Sequence, residues 1–255
     1  MSFGTDSKVA LVTGAAMGIG AAIAEQLAQD GMTVLVSDLN REEAGKTAAR
    51  FRAAGLSAQP LHLDVGNAES IAAAFSEIAD SHGRCDVLVN NAGIAKTFPF
   101  LEFPLDNFQA TMAVNVTGTL LCSQHAARLM LTRRWGRIIN IASVAGMRAV
   151  GQGRTAYGTS KAAVIGLTRQ MASELAEHGI TANAIAPGPV DTPLTEVLHS
   201  AAFRAAYTSA VPMQRYGRPS EVAALVSFLA SDKAEYITGA AIPIDGGFMA
   251  AGALG

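Results

Sequence analysis

Short apolar runs alternate with longer, Ala-rich segments of helical character along almost the whole chain. Each run is nearly continuously apolar and is bounded by Gly, Asn or Asp, which is typical of parallel strands covered by helices on both faces. The predicted strands are residues 8–13, 33–37, 58–63, 87–90, 137–142, 181–186 and 241–244. The predicted helices are residues 19–30, 41–54, 68–81, 105–133, 155–178 and 220–230, with Asn67 and Ser220 as N-caps. This alternation predicts an α/β fold: a doubly wound, Rossmann-like parallel sheet of about seven strands in three α/β/α layers.

The chain has 255 residues without a Pro/Ser-rich linker, a compositional break or a fixed-period repeat, which predicts a single domain over residues 1–255. Residues 187–219 depart from the alternation, because several prolines accompany only weakly helical pieces at 194–199 and 203–209. Long irregular segments in compact domains often cover a ligand. We interpret residues 187–219 as a lid over the substrate; a surface excursion without a function is the alternative.

Charged residues make up 16% of the chain and the net charge is −2, so we expect neither a nucleic acid nor a membrane surface as a partner. Outside residues 9–24, which three glycines interrupt, no apolar stretch approaches the roughly 18 residues that span a bilayer. Cys85 and Cys122 lack metal-ligand spacing, so we expect no metal site and a cytoplasmic protein with reduced thiols. Small molecules are the partners that this composition favours.

The segment TGAAMGIG, residues 13–20, follows the first predicted strand and opens into the first predicted helix. Glycines there allow a tight turn and close approach of the backbone, and the helix N-terminus presents free N–H groups to a pyrophosphate. A plain strand–helix turn is the alternative, but the position of the glycines favours a dinucleotide site. We expect the cofactor to contact Gly14, Met17, Gly18, Ile19 and Gly20.

Asp38 and Leu39 end the second predicted strand, and Asp38 lies 18 residues beyond Gly20. A carboxylate there can accept hydrogen bonds from both hydroxyls of the adenosine ribose and repels a 2′-phosphate. Residues 15–19 and 37–40 contain no Arg or Lys, so the sequence favours NAD over NADP. Arg41 is the one opposing charge, and we interpret it as a solvated side chain at the start of a helix.

Tyr157 and Lys161 are four residues apart, a spacing that places both on one face of a helix. A free tyrosine titrates near pH ~10, so it acts as a base at neutral pH only where positive charge favours the phenolate. Lys161, aided by an oxidised nicotinamide ring, would supply that charge. Ser143 closes a predicted strand and could hydrogen-bond the substrate oxygen.

Further motifs accompany this pair along the chain. In order they are TGAAMGIG, Asp64, Asn90-Asn91-Ala92-Gly93, Asn115, Ser143, Tyr157 with Lys161, and PGPVDT at residues 187–192. Together they resemble the classical short-chain dehydrogenase/reductase family over residues 8–247, essentially the whole chain.

The resemblance implies that Tyr157 is the general acid/base, that Lys161 lowers the pKa of Tyr157 and binds the nicotinamide ribose, and that Ser143 orients the substrate. It also implies that Asn115 holds a water in a proton relay from Lys161 to solvent. The further cofactor contacts that it implies are Asp64 and Val65 at the adenine, Asn91, Ala92 and Gly93 along the cleft, and Pro187, Gly188, Val190 and Thr192 at the nicotinamide amide and pyrophosphate.

Ser143 and Tyr157 are 14 residues apart, slightly more than the commonest spacing in the family, which leaves the shape of the connecting loop open. Arg148 and Arg154 lie in this loop. Either arginine could bind an anionic group of the substrate, but we favour the simpler interpretation that both are solvated loop charges.

We predict an NAD-dependent oxidoreductase that transfers hydride reversibly between the nicotinamide and a secondary alcohol or ketone of polyol, sugar-acid or cyclic-alcohol type. A reductase of 3-oxoacyl thioesters of acyl-carrier protein or CoA is the alternative, although typical members prefer NADP and carry a basic residue at the position of Met17. A nucleotide-sugar epimerase or dehydratase normally has a longer C-terminal substrate domain. An NAD-sensing regulator would not need Ser143, Tyr157 and Lys161 together.

The family resemblance also implies a homotetramer assembled through the predicted helices 105–133 and 155–178. Residues 162–167 are apolar around more than one helical face, which is consistent with neighbours on both sides. The apolar tail, residues 248–255, is then expected to lie against another subunit.

Overall fold

The computed structural model, which describes residues 7–251, contains a sheet of seven parallel strands. The strands are β1 (Val9–Thr13), β2 (Thr33–Asp38), β3 (Ala58–His62), β4 (Val87–Asn90), β5 (Gly136–Ile141), β6 (Ile180–Pro187) and β7 (Ala241–Ile244). Their order is β3-β2-β1-β4-β5-β6-β7, which confirms the predicted doubly wound sheet. The order reverses between β1 and β4, and this reversal opens a crevice at the carboxyl ends of the two strands.

Helices cover both faces of the sheet. Within the described residues they are α1 (Gly18–Gln29), α2 (Arg41–Ala53), α3 (Ala68–His82), α4 (Leu105–Met112), α5 (Gly118–Leu131), α6 (Thr155–Leu175), α7 (Pro193–Leu198), α8 (Ala201–Ala210) and α9 (Pro219–Ala230). Successive strand residues point to opposite faces, so Ala10 and Val12 pack in the core with α1, α2 and α9. Val9 and Leu11 pack in the core with α3, α5 and α6. Burial on both faces explains why the strands are apolar without alternation.

The two cysteines are free and belong to the core layer that contains α3 and α5. Burial raises the pKa of the Cys122 thiol to about 12 and also raises the pKa of the Cys85 thiol. A thiol with so high a pKa carries almost no thiolate at neutral pH, so both side chains act as small apolar groups in the packing.

The predicted helix 105–133 is interrupted. A π turn, Ala113–Thr117, separates α4 from α5 and contains Asn115, whose side chain is buried. The apolar pattern of residues 105–133 gives no sign of this turn, in which the Asn115 side chain forms hydrogen bonds with the backbone of Ile94 in the loop after β4. π turns are rare and often mark functional sites.

One of the two predicted N-caps is correct. The Asn67 side chain accepts a hydrogen bond from Ser70 N at 3.0 Å and caps α3. Ser220 does not cap α9, because that helix begins one residue earlier at Pro219. The Glu221 carboxylate instead accepts a hydrogen bond from Arg218 N at 2.7 Å, which satisfies an amide just before the first turn.

Residues 187–219 contain two short helices, α7 and α8, close to the predicted helical pieces. An aromatic cluster lines this segment, in which ring centroids lie 4.6 Å apart for His199 and Phe203 and 5.7 Å apart for Phe203 and Tyr207. The Arg204 guanidinium ion-pairs with Asp191 and ties α8 to the start of the segment. Of the predicted intersubunit tail, residues 252–255 lie outside the described residues.

Candidate active site

The N-terminus of α1 faces the crevice without a side-chain cap. Its N-cap residue, Met17, accepts no hydrogen bond through its side chain, and the first turn of α1 contains no acidic residue. The following two helices differ, because Asn40 caps α2 and Asn67 caps α3. The first amides of α1 are therefore free to bind an anionic group supplied by a ligand.

Glycines close the turn that leads into α1. Gly14 and Gly18 adopt the left-handed conformation, with φ of +63° and +59°. A Cβ atom placed at Gly20 would lie 2.2 Å from the carbonyl oxygen of Gly14, closer than any side chain can approach. The tight turn therefore requires glycine at these positions.

Asn91, at the start of the loop after β4, holds this glycine turn. Its Nδ2 atom donates hydrogen bonds to the carbonyl oxygens of Thr13, at 2.9 Å, and Gly14, at 3.0 Å. The Thr13 hydroxyl accepts hydrogen bonds in return from the backbone N–H groups of Asn91 and Ala92, each at 3.0 Å. Thr13 was not among the predicted site residues, although it connects the glycine turn with the loop after β4.

Asp38 lies at the carboxyl end of β2, beside the glycine turn. Its Oδ2 atom accepts a hydrogen bond from Ala16 N at 3.2 Å, and its Oδ1 atom accepts one from Asn40 N at 3.0 Å. The carboxylate is thus fixed while lone pairs on both oxygens remain for a ligand. Leu39, a predicted cofactor contact, and Arg41, the cation closest to Asp38 in the sequence, are both exposed.

Asp64 and Val65 follow β3 at the same end of the sheet. The Oδ1 atom of Asp64 accepts a hydrogen bond from Gly66 N at 2.8 Å. A Cβ atom placed at Gly118, the first residue of α5, would lie 2.4 Å from the Val65 carbonyl oxygen. Val65, which follows Asp64, therefore packs against the start of α5 at the edge of the crevice.

Gly93, Asn115 and Lys161 meet on the other side of the crevice. A Cβ atom at Gly93 would lie 3.1 Å from Asn115 Oδ1 and 3.6 Å from Lys161 Nζ. The Lys161 ammonium is buried and donates a hydrogen bond to the Ile141 carbonyl oxygen at 2.7 Å. Burial lowers the pKa of Lys161 to about 8. This side chain therefore carries a positive charge that its surroundings stabilise poorly.

The Asn115 amide joins the loop after β4 to α6. Its Oδ1 atom accepts a hydrogen bond from Ile94 N at 2.8 Å, and its Nδ2 atom donates to the Ile94 carbonyl oxygen at 3.0 Å. Nδ2 also donates to the Ser160 hydroxyl at 3.0 Å, which in turn donates to the Tyr157 carbonyl oxygen at 2.8 Å. The sequence did not identify Ser160, whose contact with Asn115 spans 45 residues.

Tyr157 is half-buried and lies beside Ser143. Burial raises the pKa of Tyr157, and the Ser143 hydroxyl and the positive charge of Arg154 oppose this increase. The Lys161 ammonium lies 5.7 Å from the centroid of the Tyr157 ring and is bound to Ile141. The pKa of Tyr157 is therefore raised, because burial outweighs the Ser143 hydroxyl and the Arg154 charge.

The loop after β6 approaches the glycine turn. A Cβ atom at Gly188 would lie 2.9 Å from the Cα atom of Asp245, and one at Gly18 would lie 3.6 Å from the Cβ atom of Thr192. Thr192 caps α7, and Val190 forms a parallel bridge with Gly217. Pro187 is the last residue of β6. This loop therefore reaches the opening of α1 from the neighbouring half of the sheet.

These features fit a dinucleotide. An uncapped helix N-terminus suits a pyrophosphate, and a fixed carboxylate suits ribose hydroxyls. The buried Lys161 ammonium has one hydrogen-bond partner within residues 7–251 and therefore has hydrogen atoms left to donate. Among residues 7–251, no group of three or more His, Cys, Asp or Glu side chains is placed to hold a metal ion. Over the same residues, no helix is long and apolar enough to cross a membrane.

A family model described as enoyl-(acyl carrier protein) reductase matches residues 14–249. The chain belongs to the classical short-chain dehydrogenase/reductase family. As a short-chain dehydrogenase/reductase it is an oxidoreductase that binds a nicotinamide cofactor and acts on CH–OH or keto groups.

Similar members of the short-chain dehydrogenase/reductase family differ in the substrates that their names give. The 3-oxoacyl-[acyl-carrier-protein] reductase FabG of Aquifex aeolicus is 42% identical over 250 residues, 98% of this chain and 100% of that protein. The structure of a gluconate 5-dehydrogenase from Burkholderia cenocepacia in complex with NADP and tartrate matches with a TM-score of 0.92 and 36% identity, covering 98% of both chains. A putative gluconate dehydrogenase from Agrobacterium tumefaciens matches with a TM-score of 0.93 and 32% identity, again over 98% of both chains.

Proposed function

We propose that the protein is NAD-dependent and interconverts a secondary alcohol and its ketone in a polyol, a sugar acid or a cyclic alcohol. The observation that carries the proposal is the Asp38 carboxylate, which two backbone N–H groups fix beside the glycine turn. The names of two similar structures support the sugar-acid class, because gluconate is a sugar acid.

Asp38 supports NAD over NADP for an electrostatic reason. Both carboxylate oxygens keep lone pairs that can accept hydrogen bonds from the 2′- and 3′-hydroxyls of the adenosine ribose. A 2′-phosphate at the same place would bring like charges into contact, and like charges at short range repel strongly. Arg41, the nearby cation in the sequence, is exposed and is not held against Asp38.

Tyr157 moves the proton in this proposal. The nicotinamide supplies the acceptor or donor of hydride when it is bound. In oxidation the Tyr157 phenolate takes the proton of the substrate hydroxyl, and in reduction the phenol returns a proton to the oxygen. The Ser143 hydroxyl, beside Tyr157, orients the substrate oxygen and stabilises the charge that develops on it.

Lys161 and Asn115 support Tyr157 from the interior. The Lys161 ammonium binds the nicotinamide ribose and its charge favours the Tyr157 phenolate once the oxidised cofactor adds a second positive charge. Asn115 holds a water that passes protons from Lys161 to solvent. The contact of both side chains with Gly93 supports this grouping.

The other proposed cofactor contacts follow the crevice. The pyrophosphate is held by Gly14, Met17, Gly18, Ile19 and Gly20, and the adenosine by Leu39, Asp64 and Val65. The middle of the cofactor lies against Asn91, Ala92 and Gly93. The nicotinamide amide is held by Pro187, Gly188, Val190 and Thr192. Asn91 acts indirectly, because its side chain binds the carbonyl oxygens of the glycine turn.

The remaining parts of the proposal concern architecture. Residues 187–219 form a lid over the substrate within a single domain, and the aromatic cluster of His199, Phe203 and Tyr207 lines that lid. The protein assembles as a homotetramer through α4, α5 and α6. Its place is the cytoplasm, where the two buried thiols stay reduced.

A second candidate function is the reduction of 3-oxoacyl thioesters. The Aquifex aeolicus reductase supports it through 42% identity over nearly the whole chain. The same residues would perform the proton transfer, so the two candidates differ in substrate and not in the role of Tyr157.

A substrate panel followed at the NADH absorbance band tests the proposal. It contains polyols, hydroxy acids, cyclic alcohols and 3-oxoacyl thioesters, each with NAD(H) and with NADP(H). We expect NAD(H)-linked turnover in one of the first three classes, and turnover of thioesters alone would establish the second candidate. In Tyr157→Phe we expect turnover to fall by at least about 100-fold, because general acid–base catalysis contributes that much. NADH affinity should stay unchanged, and retained turnover would contradict the role of Tyr157.

A further inference from the structure

Arg154 is the residue just before α6, three positions ahead of Tyr157. Its carbonyl oxygen accepts a hydrogen bond from Gly158 N at 2.8 Å, which fixes its backbone to the helix that carries Tyr157. The side chain is half-buried, in contrast to that of Arg148, which is exposed in the same loop. The interpretation of both arginines as solvated loop charges is therefore wrong for Arg154.

The Arg154 guanidinium reaches the aromatic cluster of residues 187–219. Its central carbon lies 5.7 Å from the centroid of the Phe203 ring, and Phe203 contacts His199 and Tyr207. Burial raises the pKa of Tyr157, and the charge of Arg154 opposes this effect. Burial also lowers the pKa of His199, and here the charge of Arg154 acts in the same direction. The guanidinium thus lies between Tyr157 and the segment that faces it.

Arg154 lacks the counter-ion that comparable arginines have. Four arginines within residues 7–251 are not exposed, and three of them form ion pairs with aspartates. These pairs are Arg84 with Asp86, Arg137 with Asp232, and Arg204 with Asp191. Arg154, the fourth, forms no ion pair with a carboxylate of the described residues. A partly desolvated cation without a partner is unfavourable unless a ligand supplies the negative charge.

Acidic groups around the same cleft are already engaged. Asp191 pairs with Arg204, and the two oxygens of Asp245 accept hydrogen bonds from the backbone N–H groups of Gly247 and Met249, at 2.9 and 2.8 Å. The first turn of α6 contains no acidic residue and has no side-chain cap, so the positive end of the helix dipole adds to the charge of Arg154. An anion is the ligand that this combination favours.

We propose that Arg154 binds a carboxylate, or an anionic group of similar size, that the substrate carries within a few bonds of its reacting carbon. The substrates are then hydroxy acids and the corresponding keto acids. This inference rests on the proposed function, because it takes Tyr157 as the group that contacts the reacting oxygen. Guanidinium is suited to the role, since its planar donors match the two oxygens of a carboxylate.

A carboxylate bound by Arg154 distinguishes sugar acids from the other substrate classes considered under the proposed function. Polyols and cyclic alcohols carry no negative charge. A 3-oxoacyl thioester is neutral around its reacting carbon, and its phosphate is a whole pantetheine arm away, beyond the reach of a side chain that contacts the surroundings of Tyr157. Sugar acids and simple hydroxy acids are the classes that place a carboxylate close to a secondary alcohol.

Matched pairs of acid and neutral compounds test the proposal. The probes are D-gluconate against D-glucitol and 3-hydroxybutyrate, as both enantiomers, against 3-hydroxybutyramide, each with NAD. We expect the wild-type protein to prefer the acid of at least one pair. In Arg154→Gln, kcat/KM for that acid should fall roughly 10- to 100-fold, mainly through KM, because hydrogen bonds between charged groups contribute on that scale. The neutral partner should change by less than about threefold, and Arg154→Lys should give an intermediate value.

Arg148→Gln is the matched control, because it removes a positive charge from the same loop at an exposed position. Binding without turnover can be measured by calorimetry, by titrating the preferred acid into the Tyr157→Phe variant with NAD bound. Adding Arg154→Gln to that variant should weaken binding of the acid by the same factor as it lowers kcat/KM. The role of Arg154 would be overturned if Arg154→Gln lowered kcat/KM equally for acid and neutral compounds, or if the wild-type protein preferred the neutral member of every pair. Either result would leave the proposed function intact. Unchanged turnover in Tyr157→Phe would instead overturn the proposed function.

Discussion

Lys161 and Ile141 are joined by a buried hydrogen bond, in which the ammonium donates to the carbonyl oxygen at 2.7 Å. Burial lowers the pKa of the Lys161 ammonium, which this contact holds, from 10.5 to about 8. The interior that positions Lys161 for a cofactor therefore opposes the charge that the proposed role requires.

Replacing Lys161 with Met should stabilise the cofactor-free protein while abolishing turnover. The lowered pKa corresponds to roughly 3 kcal/mol of unfavourable free energy at neutral pH. Loss of the hydrogen bond to Ile141 offsets about 1 kcal/mol, so we expect a net gain of roughly 1–2 kcal/mol in the free energy of unfolding. Chemical denaturation at pH 7 measures this quantity, and Lys96→Met, at an exposed position, controls for the loss of charge. A less stable Lys161→Met variant would contradict the expectation.

The gain from Lys161→Met should depend on pH. The pKa of Lys161 lies below its ordinary value of 10.5, so between pH 8 and 10.5 the unfolded chain binds more protons than the folded one. The free energy of unfolding of the wild-type protein therefore rises with pH across this window. The advantage of the variant should be complete below pH 8. It should vanish within the window and reverse before pH 10.5, because the wild-type protein gains roughly 3 kcal/mol across it. Denaturation curves across this window, measured on both proteins, check the sign.

Asp38→Ala should change the choice of cofactor. The variant loses hydrogen bonds from a charged acceptor to the ribose and also loses the repulsion of a 2′-phosphate, so kcat/KM with NAD should fall roughly 10- to 100-fold. The value with NADP should rise. Arg41→Ala is the control, since it alters the neighbouring charge without touching the carboxylate, and should leave the NAD value unchanged. An unaltered NAD/NADP ratio in Asp38→Ala would show that the carboxylate does not select the cofactor.

Ser160→Ala should impair turnover through Asn115. Asn115 would keep its contacts with Ile94 but lose its link to α6, which should lower the free energy of unfolding by roughly 1 kcal/mol. We expect kcat to fall about tenfold, equivalent to ~1.4 kcal/mol in the activation barrier, with little change in cofactor affinity. Thr159→Ala changes an exposed neighbouring hydroxyl on the same helix and serves as the control. Equal effects of the two substitutions would rule out a specific link.

Two glycine substitutions should have opposite effects on stability. Gly20→Ala places a Cβ atom 2.2 Å from the Gly14 carbonyl oxygen, so the glycine turn must shift and we expect a loss of roughly 1–3 kcal/mol together with cofactor affinity. A Cβ atom added at Gly45, in the middle of α2, would have no described atom within 4 Å apart from the neighbouring backbone of its own helix. Gly45→Ala should therefore stabilise the helix by about 0.5–1 kcal/mol. Thermal unfolding and NADH titration of both variants provide the measurement.

The sequence predicted the sheet and the placing of the principal site residues because both depend on local patterns. Apolar runs define the strands, and the carboxyl ends of parallel strands meet at one edge, where Asp38 ends β2 and Ser143 follows β5. The spacing of Tyr157 and Lys161 needs only helical geometry. These features are therefore visible in short windows of the chain.

The features that the sequence missed arise from contacts between distant segments. Ser160 and Thr13 matter through hydrogen bonds across 45 and 78 residues. Arg154 lies over the Phe203 ring of α8 and is half-buried, whereas Arg148 is exposed, a difference that no pattern within the loop encodes. The raised pKa of Tyr157 has the same origin, since burial depends on the complete fold.

The π turn at Asn115 affects which single-residue deletions the helices α4 and α5 can tolerate. A π turn winds one residue more than an α-helical turn, so the positions of α5 are offset by roughly 100° from a continuation of α4. Deleting one residue of this stretch, Ala113–Thr117, other than Asn115 would leave a regular α-helical turn, so Thr111 and Cys122 would keep facing the interior. A single deletion inside α4 or α5 would instead rotate the rest of that helix by roughly 100°. A scan of single-residue deletions, followed by thermal unfolding, should therefore find that this stretch tolerates shortening better than the middle of either helix.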